Sequence, residues 1–145
     1  MKLEGYKVLN ENFEFEPLTV EFDEKITELK KAEGTGKGYV IPGFFDVHTH
    51  AAIAQDFMDF TDIDEYIYYM YSNGITTFYP TSCCGPIDEV AKAASVCKDK
   101  AEIEGINIEG PFINVKYKGA HREEYIYEAY IEALYKIQEA AGGKV

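Results

Sequence analysis

The residues best suited by type and spacing to chemistry are His48 and His50, separated by Thr49. Alternation along an extended chain turns positions 48 and 50 to the same side, and two imidazoles side by side suit a divalent metal. The pair ends the apolar run Phe44-Phe45-Asp46-Val47. In a parallel barrel the C-terminal ends of the strands build the active site, so the placement is what a metal site requires. A lone His-x-His is more often structural than ligating; the string Pro42-Gly43-Phe44-Phe45-Asp46-Val47 in front of it gives it weight. The other reactive side chains invite less. Cys83, Cys84 and Cys97 are odd in number and lack paired ligand spacing, adjacent cysteines rarely bridge, and Cys83-Cys84 reads as two small buried hydrophobes in a reducing compartment.

The elements that must position these residues change character near residue 40. Before it, Tyr6 to Leu9, Phe13 to Phe15 and Leu18 to Phe22 show apolar residues on alternate positions and predict small antiparallel strands. Glu33-Gly34-Thr35-Gly36-Lys37-Gly38 is a glycine-rich connector; no helix start follows it, which argues against a phosphate cradle. Beyond it, short apolar runs alternate with helical stretches, the pattern of βα units around a parallel sheet. The first strand is expected from Tyr39-Val40-Ile41 through Val47. A helix follows over Thr61 to Asn73, capped by Thr61 or Asp62 and stopped by Gly74. Ile75 to Tyr79 predicts a second strand broken by Pro80, Pro86 to Lys100 a second helix, Ile106 to Glu109 a third strand, and Glu123 to Ala141 a third helix ended by Gly142-Gly143.

The fold class is therefore α/β, with residues 1–40 a small β segment and residues 41–145 three βα units. A closed (β/α)₈ barrel needs eight strands and typically about 250 residues. Three units leave the sheet open, so the chain reads as the first part of an incomplete barrel, or as strands with exposed edges.

Composition excludes some partners. The formal charge of −12, from 26 acidic and 14 basic residues among 145, repels phosphate backbones and anionic lipid, so neither nucleic acid nor a membrane surface is expected. No run approaches the roughly 20 apolar residues of a membrane span, and no basic-then-apolar leader opens the sequence. A cytoplasmic location is expected. Tyr66-Ile67-Tyr68-Tyr69-Met70-Tyr71 predicts a helix that packs broadly rather than a stacking platform.

Pro-Gly-Phe-x-Asp-x-His-x-His resembles the opening signature of the amidohydrolase superfamily. Within it, Asn107-Ile108-Glu109-Gly110-Pro111-Phe112 followed by Lys118-Gly119-Ala120-His121 is similar to the pattern that N-acetylglucosamine-6-phosphate deacetylases carry on and after the third barrel strand. Asp56-Phe57-Met58-Asp59 and Gly74 to Thr81 add matches in the same order, and together they cover most of residues 39 to 125.

The resemblance implies hydrolysis of N-acetylglucosamine 6-phosphate to glucosamine 6-phosphate and acetate, with zinc or iron as the divalent metal. It implies Glu109 as the carboxylate ligand, His48 and His50 as the histidine pair of members that bind a second metal, and a substrate-binding position at Ala120 and the adjoining His121. It places His121 on a loop outside the ligand set, and the general base, two further histidine ligands and the phosphate-binding cations beyond the residues present. The chain alone is then expected to be inactive. Arg122 and Lys116 to Lys118 read as a solvated loop, and Ala51-Ala52-Ile53-Ala54-Gln55 departs from the glycines that the family usually has there. The competing readings are a non-catalytic module that completes its sheet by self-association, as a homo-oligomer, or with a partner, and a related amidohydrolase acting on another amide. The spatial expectation is that two imidazoles and one carboxylate, from the first and third strands, converge at one rim of the sheet.

Overall fold

Strand β1 (Lys2–Leu9) pairs antiparallel with β2 (Phe15–Phe22), which pairs antiparallel with β3 (Ile26–Lys31); β4 (Tyr39–Val40) runs parallel to β1 on its other side. In this computed structural model, which describes residues 1–34 and 36–145, these strands make up one compact unit, Met1–Pro42. Its core is small: Val8, Leu18 and Val20, with Leu3, Phe22 and Val40 packed on them. Gly5, at φ +82, sits where the β1–β2 register shifts between Leu3 and Tyr6, a bulge that a β-carbon would strain.

Several sequence expectations change here. Phe13 to Phe15 is not a strand: Phe13 is at φ 61 in a turn built on Asn10, whose Oδ1 accepts from the Asn12 and Glu14 backbone N–H groups. Strand β3 lacks the apolar alternation that marks a strand in sequence: Thr27, Glu28, Lys30 and Lys31 make it a polar string, exposed throughout. Tyr39-Val40 joins β1 rather than continuing into Phe44, since Pro42-Gly43 interrupts the run. The glycine-rich connector over 33–38 includes Thr35, which lies outside the described residues.

The second unit, Gly43–Val145, contains β5 (Phe44–Thr49), a short hairpin of β6 (Ala51–Ala52) and β7 (Gln55–Asp56), α1 (Ile63–Ser72), β8 (Ile75–Ser82), α2 (Ile87–Cys97), β9 (Asn107–Ile108) and α3 (Ile131–Ala140). Its sheet is parallel, in the order β5-β8-β9. Among the described residues, no helix is long and apolar enough to cross a membrane.

Local chemistry explains the boundaries. Asp62 caps α1 by accepting from the Asp64 and Glu65 N–H groups, and Gly74, at φ +79, takes the left-handed position after the C-cap Asn73. Ile63, Tyr66, Ile67 and Met70 form the buried stripe of α1; Tyr68, Tyr69 and Tyr71 are exposed, so the tyrosine-rich helix packs on one face and not broadly. Helix α2 buries Val90, Ala91, Ala93, Ala94 and Cys97, small side chains that let it lie close to its neighbours, and it ends three residues before Lys100. Around Phe57, Tyr66, Phe78, Ile103 and Ile137, all fully buried, each large side chain contributes about 1.5–3 kcal/mol relative to exposure.

Two further expectations are corrected. Strand β8 runs through Pro80 to Ser82, because Pro80 faces Thr49 beside a register irregularity of β5, where no regular ladder bond needs its missing N–H. Helix α3 begins at Ile131 rather than Glu123: Glu123–Tyr125 is a 3₁₀ turn, and the following stretch is tied down by the Tyr127 N–H donating to the Pro111 carbonyl at 3.1 Å.

Candidate metal centre

The C-terminal ends of the three parallel strands carry the site. His48 lies in β5 with His50 just past its end, and Glu109 directly follows β9. The same-side alternation expected for 48 and 50 holds, and their Nε2 atoms are 3.0 Å apart. Glu109 Oε2 lies 3.0 Å from His48 Nε2 and 3.2 Å from His50 Nε2. Among the described residues this is the group of three or more His, Cys, Asp or Glu able to hold a metal ion.

Hydrogen bonding alone does not satisfy the triangle. His50 Nδ1 is 3.1 Å from the Thr81 backbone oxygen; a carbonyl only accepts, so the ring proton sits on Nδ1 and Nε2 offers a lone pair. That lone pair and the Glu109 carboxylate oxygen then face each other, and a single His48 N–H can serve only one of them. A cation serves all three. Donor atoms held about 2.1 Å from one ion lie roughly 3.0–3.4 Å from one another, which matches the observed separations, and a nitrogen–nitrogen–oxygen set suits a divalent metal.

Behind these atoms stands a layer that sequence reading missed. Thr81 is almost fully buried; its carbonyl holds His50, and its Oγ1 accepts from the Thr49 N–H at 3.1 Å. Asn107 Nδ2 approaches both Thr81 Oγ1, at 3.3 Å, and His48 Nδ1, at 3.4 Å. The available signal was alternation: Asn107 and Glu109 stand two apart, as His48 and His50 do, so they share a side.

His121 was expected on a loop outside the ligand set, and it is on a loop, but it is integral to the site. Its Nδ1 accepts from the Cys84 backbone N–H at 3.2 Å, so its proton is on Nε2, which donates to Glu109 Oε1 at 2.7 Å. That bond holds the Glu109 carboxyl below the ordinary carboxylate range, against a smaller upward push from partial burial. Ala120 lines the same cavity of about 660 Å³ as His50, Cys83, Glu109 and His121. Cys84 is buried as expected, whereas Cys83 is only half-buried, with its sulfur 3.6 Å from His50 Nδ1. Burial pushes both thiols up. Lys118 and Arg122 also line the cavity: Lys118 is partly buried and donates to the His121 carbonyl, whereas Arg122 makes an exposed pair with Glu124, as a solvated loop residue does. Ile53 and Ala54 stand at φ 48 and φ 60 in the β6–β7 turn.

The parallel α/β unit carries at its strand ends a histidine–histidine–carboxylate cluster that could hold a metal ion, and the chain is similar to known proteins of one family. The Amidohydrolase family matches residues 39–143; the chain belongs to that family. It is 33% identical over 126 residues to the N-acetylglucosamine-6-phosphate deacetylase of Lysinibacillus sphaericus, covering 81% of this chain and 32% of that protein. To the Bacillus subtilis (strain 168) protein of the same name it is 27% identical over 128 residues, covering 80% of this chain and 32% of the relative. The chain thus spans about a third of the length of the curated relatives it matches. The solved N-acetylglucosamine-6-phosphate deacetylase of Thermotoga maritima superposes with a TM-score of 0.85 at 28% identity, over 94% of this chain and 39% of that one. A variant of the Mycobacterium smegmatis enzyme in complex with N-acetyl-D-glucosamine-6-phosphate shares the fold, at a TM-score of 0.81 and 20% identity, over 100% of this chain and 42% of that one.

Proposed function

We propose that this chain supplies the metal-binding part of an N-acetylglucosamine-6-phosphate deacetylase site, an amide hydrolase whose products are glucosamine 6-phosphate and acetate. The observation that carries the reading is the triangle of His48 Nε2, His50 Nε2 and Glu109 Oε2, with sides of 3.0–3.2 Å. In this reading residues 1–40 are part of a small β-sandwich domain, and residues 41–145 are the first three βα units of a (β/α)₈ barrel. Three parallel strands, each followed by a helix, support it.

His48, His50 and Glu109 are the residues that hold zinc or iron. When bound, the ion supplies a water acidified toward neutrality and polarises the acyl oxygen. The chain's own side chains do the positioning: His121 fixes the Glu109 carboxylate, the Thr81 carbonyl fixes the His50 ring, and the loop bearing Ala120 and His121 walls the cavity on the substrate side. No residue here is assigned the general base, which the reaction needs to move the water proton to the departing amine. The small amino-sugar phosphate is the partner, in the cytoplasm; the charge of −12 argues against nucleic acid or membrane.

The test is titration of the chain with zinc or iron(II), and then with N-acetylglucosamine 6-phosphate, followed by NMR. Metal should bind with loss of binding in Glu109→Gln, and the sugar phosphate should then perturb the Ala120 and His121 amides. Binding of the sugar phosphate to the metal-loaded chain that leaves the Ala120 and His121 amides unmoved would overturn the substrate assignment. Sustained acetate release by these 145 residues alone would overturn the placement of the base elsewhere.

One observation favours a second reading. Phe44, Phe45 and Val47 of the edge strand β5 are each more than half exposed, and an apolar edge invites pairing. A module that completes its sheet by homo-oligomerisation, or on a partner, would bury them. Light scattering decides: a monomer at every concentration removes self-association.

A further inference from the structure

His48 and His50 enter the cluster by the same ring nitrogen but are held from behind in different ways. In a neutral imidazole one nitrogen carries the proton and the other a lone pair, and the partner of the outer nitrogen decides which. For His50 that partner is the Thr81 carbonyl, an acceptor, 3.1 Å from Nδ1. For His48 it is the side-chain amide of Asn107, 3.4 Å from Nδ1.

The orientation of that amide follows from Thr81. The Thr81 hydroxyl donates to the Tyr79 carbonyl at 3.2 Å. Its proton is thereby used, so toward Asn107, 3.3 Å away, Oγ1 can only accept. Asn107 therefore turns its NH₂ toward both Thr81 and His48. An N–H facing His48 Nδ1 makes that nitrogen an acceptor and places the ring proton on Nε2, inside the cluster, 3.0 Å from Glu109 Oε2.

We propose that Asn107, anchored on Thr81, is the positioning residue for His48 and acts as a tautomer latch. With the amide nitrogen toward the ring, His48 is a hydrogen-bond donor to Glu109 and is closed to a cation. Turning the amide oxygen toward the ring moves the proton to Nδ1 and frees the Nε2 lone pair. His50 and Glu109 then form the ready half of the site, and His48 joins only when the latch turns. The inference rests on the reading of His48, His50 and Glu109 as a metal centre.

Long-range ¹H–¹⁵N NMR of the ¹⁵N-labelled, metal-free chain reads which nitrogen of each histidine is protonated. The expected result is Nδ1–H for His50 and Nε2–H for His48, with zinc converting His48 to Nδ1–H. In Asn107→Asp, whose carboxylate only accepts, His48 should be Nδ1–H already without metal, and zinc should bind about tenfold more tightly, the lower end of what outer partners of metal ligands supply. In Asn107→Leu the two His48 tautomers should mix. Unchanged His50 and His121 resonances in both variants separate this effect from a general loss of structure. Nδ1–H at His48 in the metal-free wild type, or Nε2–H retained in Asn107→Asp, would overturn the latch. Failure of zinc to bind the wild type would instead sink the metal-centre reading, while the metal-free tautomers still decide the latch.

Discussion

Glu109 and His121 meet at 2.7 Å between Oε1 and Nε2, although a loop and a 3₁₀ turn separate them in the chain. The Cys84 backbone N–H on His121 Nδ1 leaves the imidazole one way to face, with its remaining N–H on the carboxylate. One oxygen of Glu109 is thus held from behind while the other points to the two histidines.

Removing the imidazole in His121→Ala should free Glu109 to rotate and weaken zinc binding by roughly 10–100-fold, as loss of an outer partner typically does; calorimetric titration measures it. The same variant should relax the downward shift of the Glu109 carboxyl. A depressed carboxylate stabilises the fold above its unfolded value, near about 4.3, and that stabilisation is lost as pH falls through the lower folded value. Acid unfolding of His121→Ala should therefore lose less stability over that window than the parent. An unchanged acid limb would show that the bond contributes nothing to folding.

Gly110 stands at φ +76, and a β-carbon there would lie 2.2 Å from Cys84 Sγ. Gly110→Ala should cost about 2–3 kcal/mol from strain and overpacking, read by urea unfolding. Combining it with Cys84→Gly should recover the overpacking part but not the backbone part, so the double-mutant cycle should show coupling of opposite sign to the single losses.

The β6–β7 turn holds two non-glycine residues, Ile53 and Ala54, at positive φ, where a two-residue hairpin favours Asn-Gly. A β-branched residue is a poor occupant of that region. Ile53→Asn with Ala54→Gly should raise stability by about 1 kcal/mol, seen as a higher thermal midpoint. A lower midpoint would mean that the Ile53 side chain contributes packing that outweighs the strain.

Cys97, fully buried in the last turn of α2, has its thiol pushed up to about 12 by burial. A thiol held protonated by the fold adds stability that is complete below its unfolded value, near about 8.5, and is lost as pH rises through the folded value. Cys97 should resist a thiol reagent at pH 8 until the chain unfolds, and Cys97→Ala should flatten the loss of stability between about pH 9 and pH 12. Labelling of Cys97 in the native chain at the rate of an exposed thiol would contradict its burial.

What the sequence by itself determined is local. Asp62 and Gly74 mark the ends of α1 because a cap and a left-handed glycine act within a few residues. His48 and His50 share a side because alternation is a property of one strand. Ile126 to Tyr130 resisted such reading: its residues fit a helix, but the Tyr127 N–H is bonded to the Pro111 carbonyl and Tyr130 packs edge-on against Phe112, contacts with a distant part of the chain. The same limit applied to Tyr39-Val40, where the choice between two sheets depends on pairing with β1, far away in the chain. At the site, Glu109 was marked by its motif, but that His121 grips it, that Thr81 backs His50, and that Asn107 faces His48 were decided when three strands and a loop were brought together. A hydrogen bond is directional over about 3 Å, and no spacing along the chain encodes which distant donor will arrive within that reach.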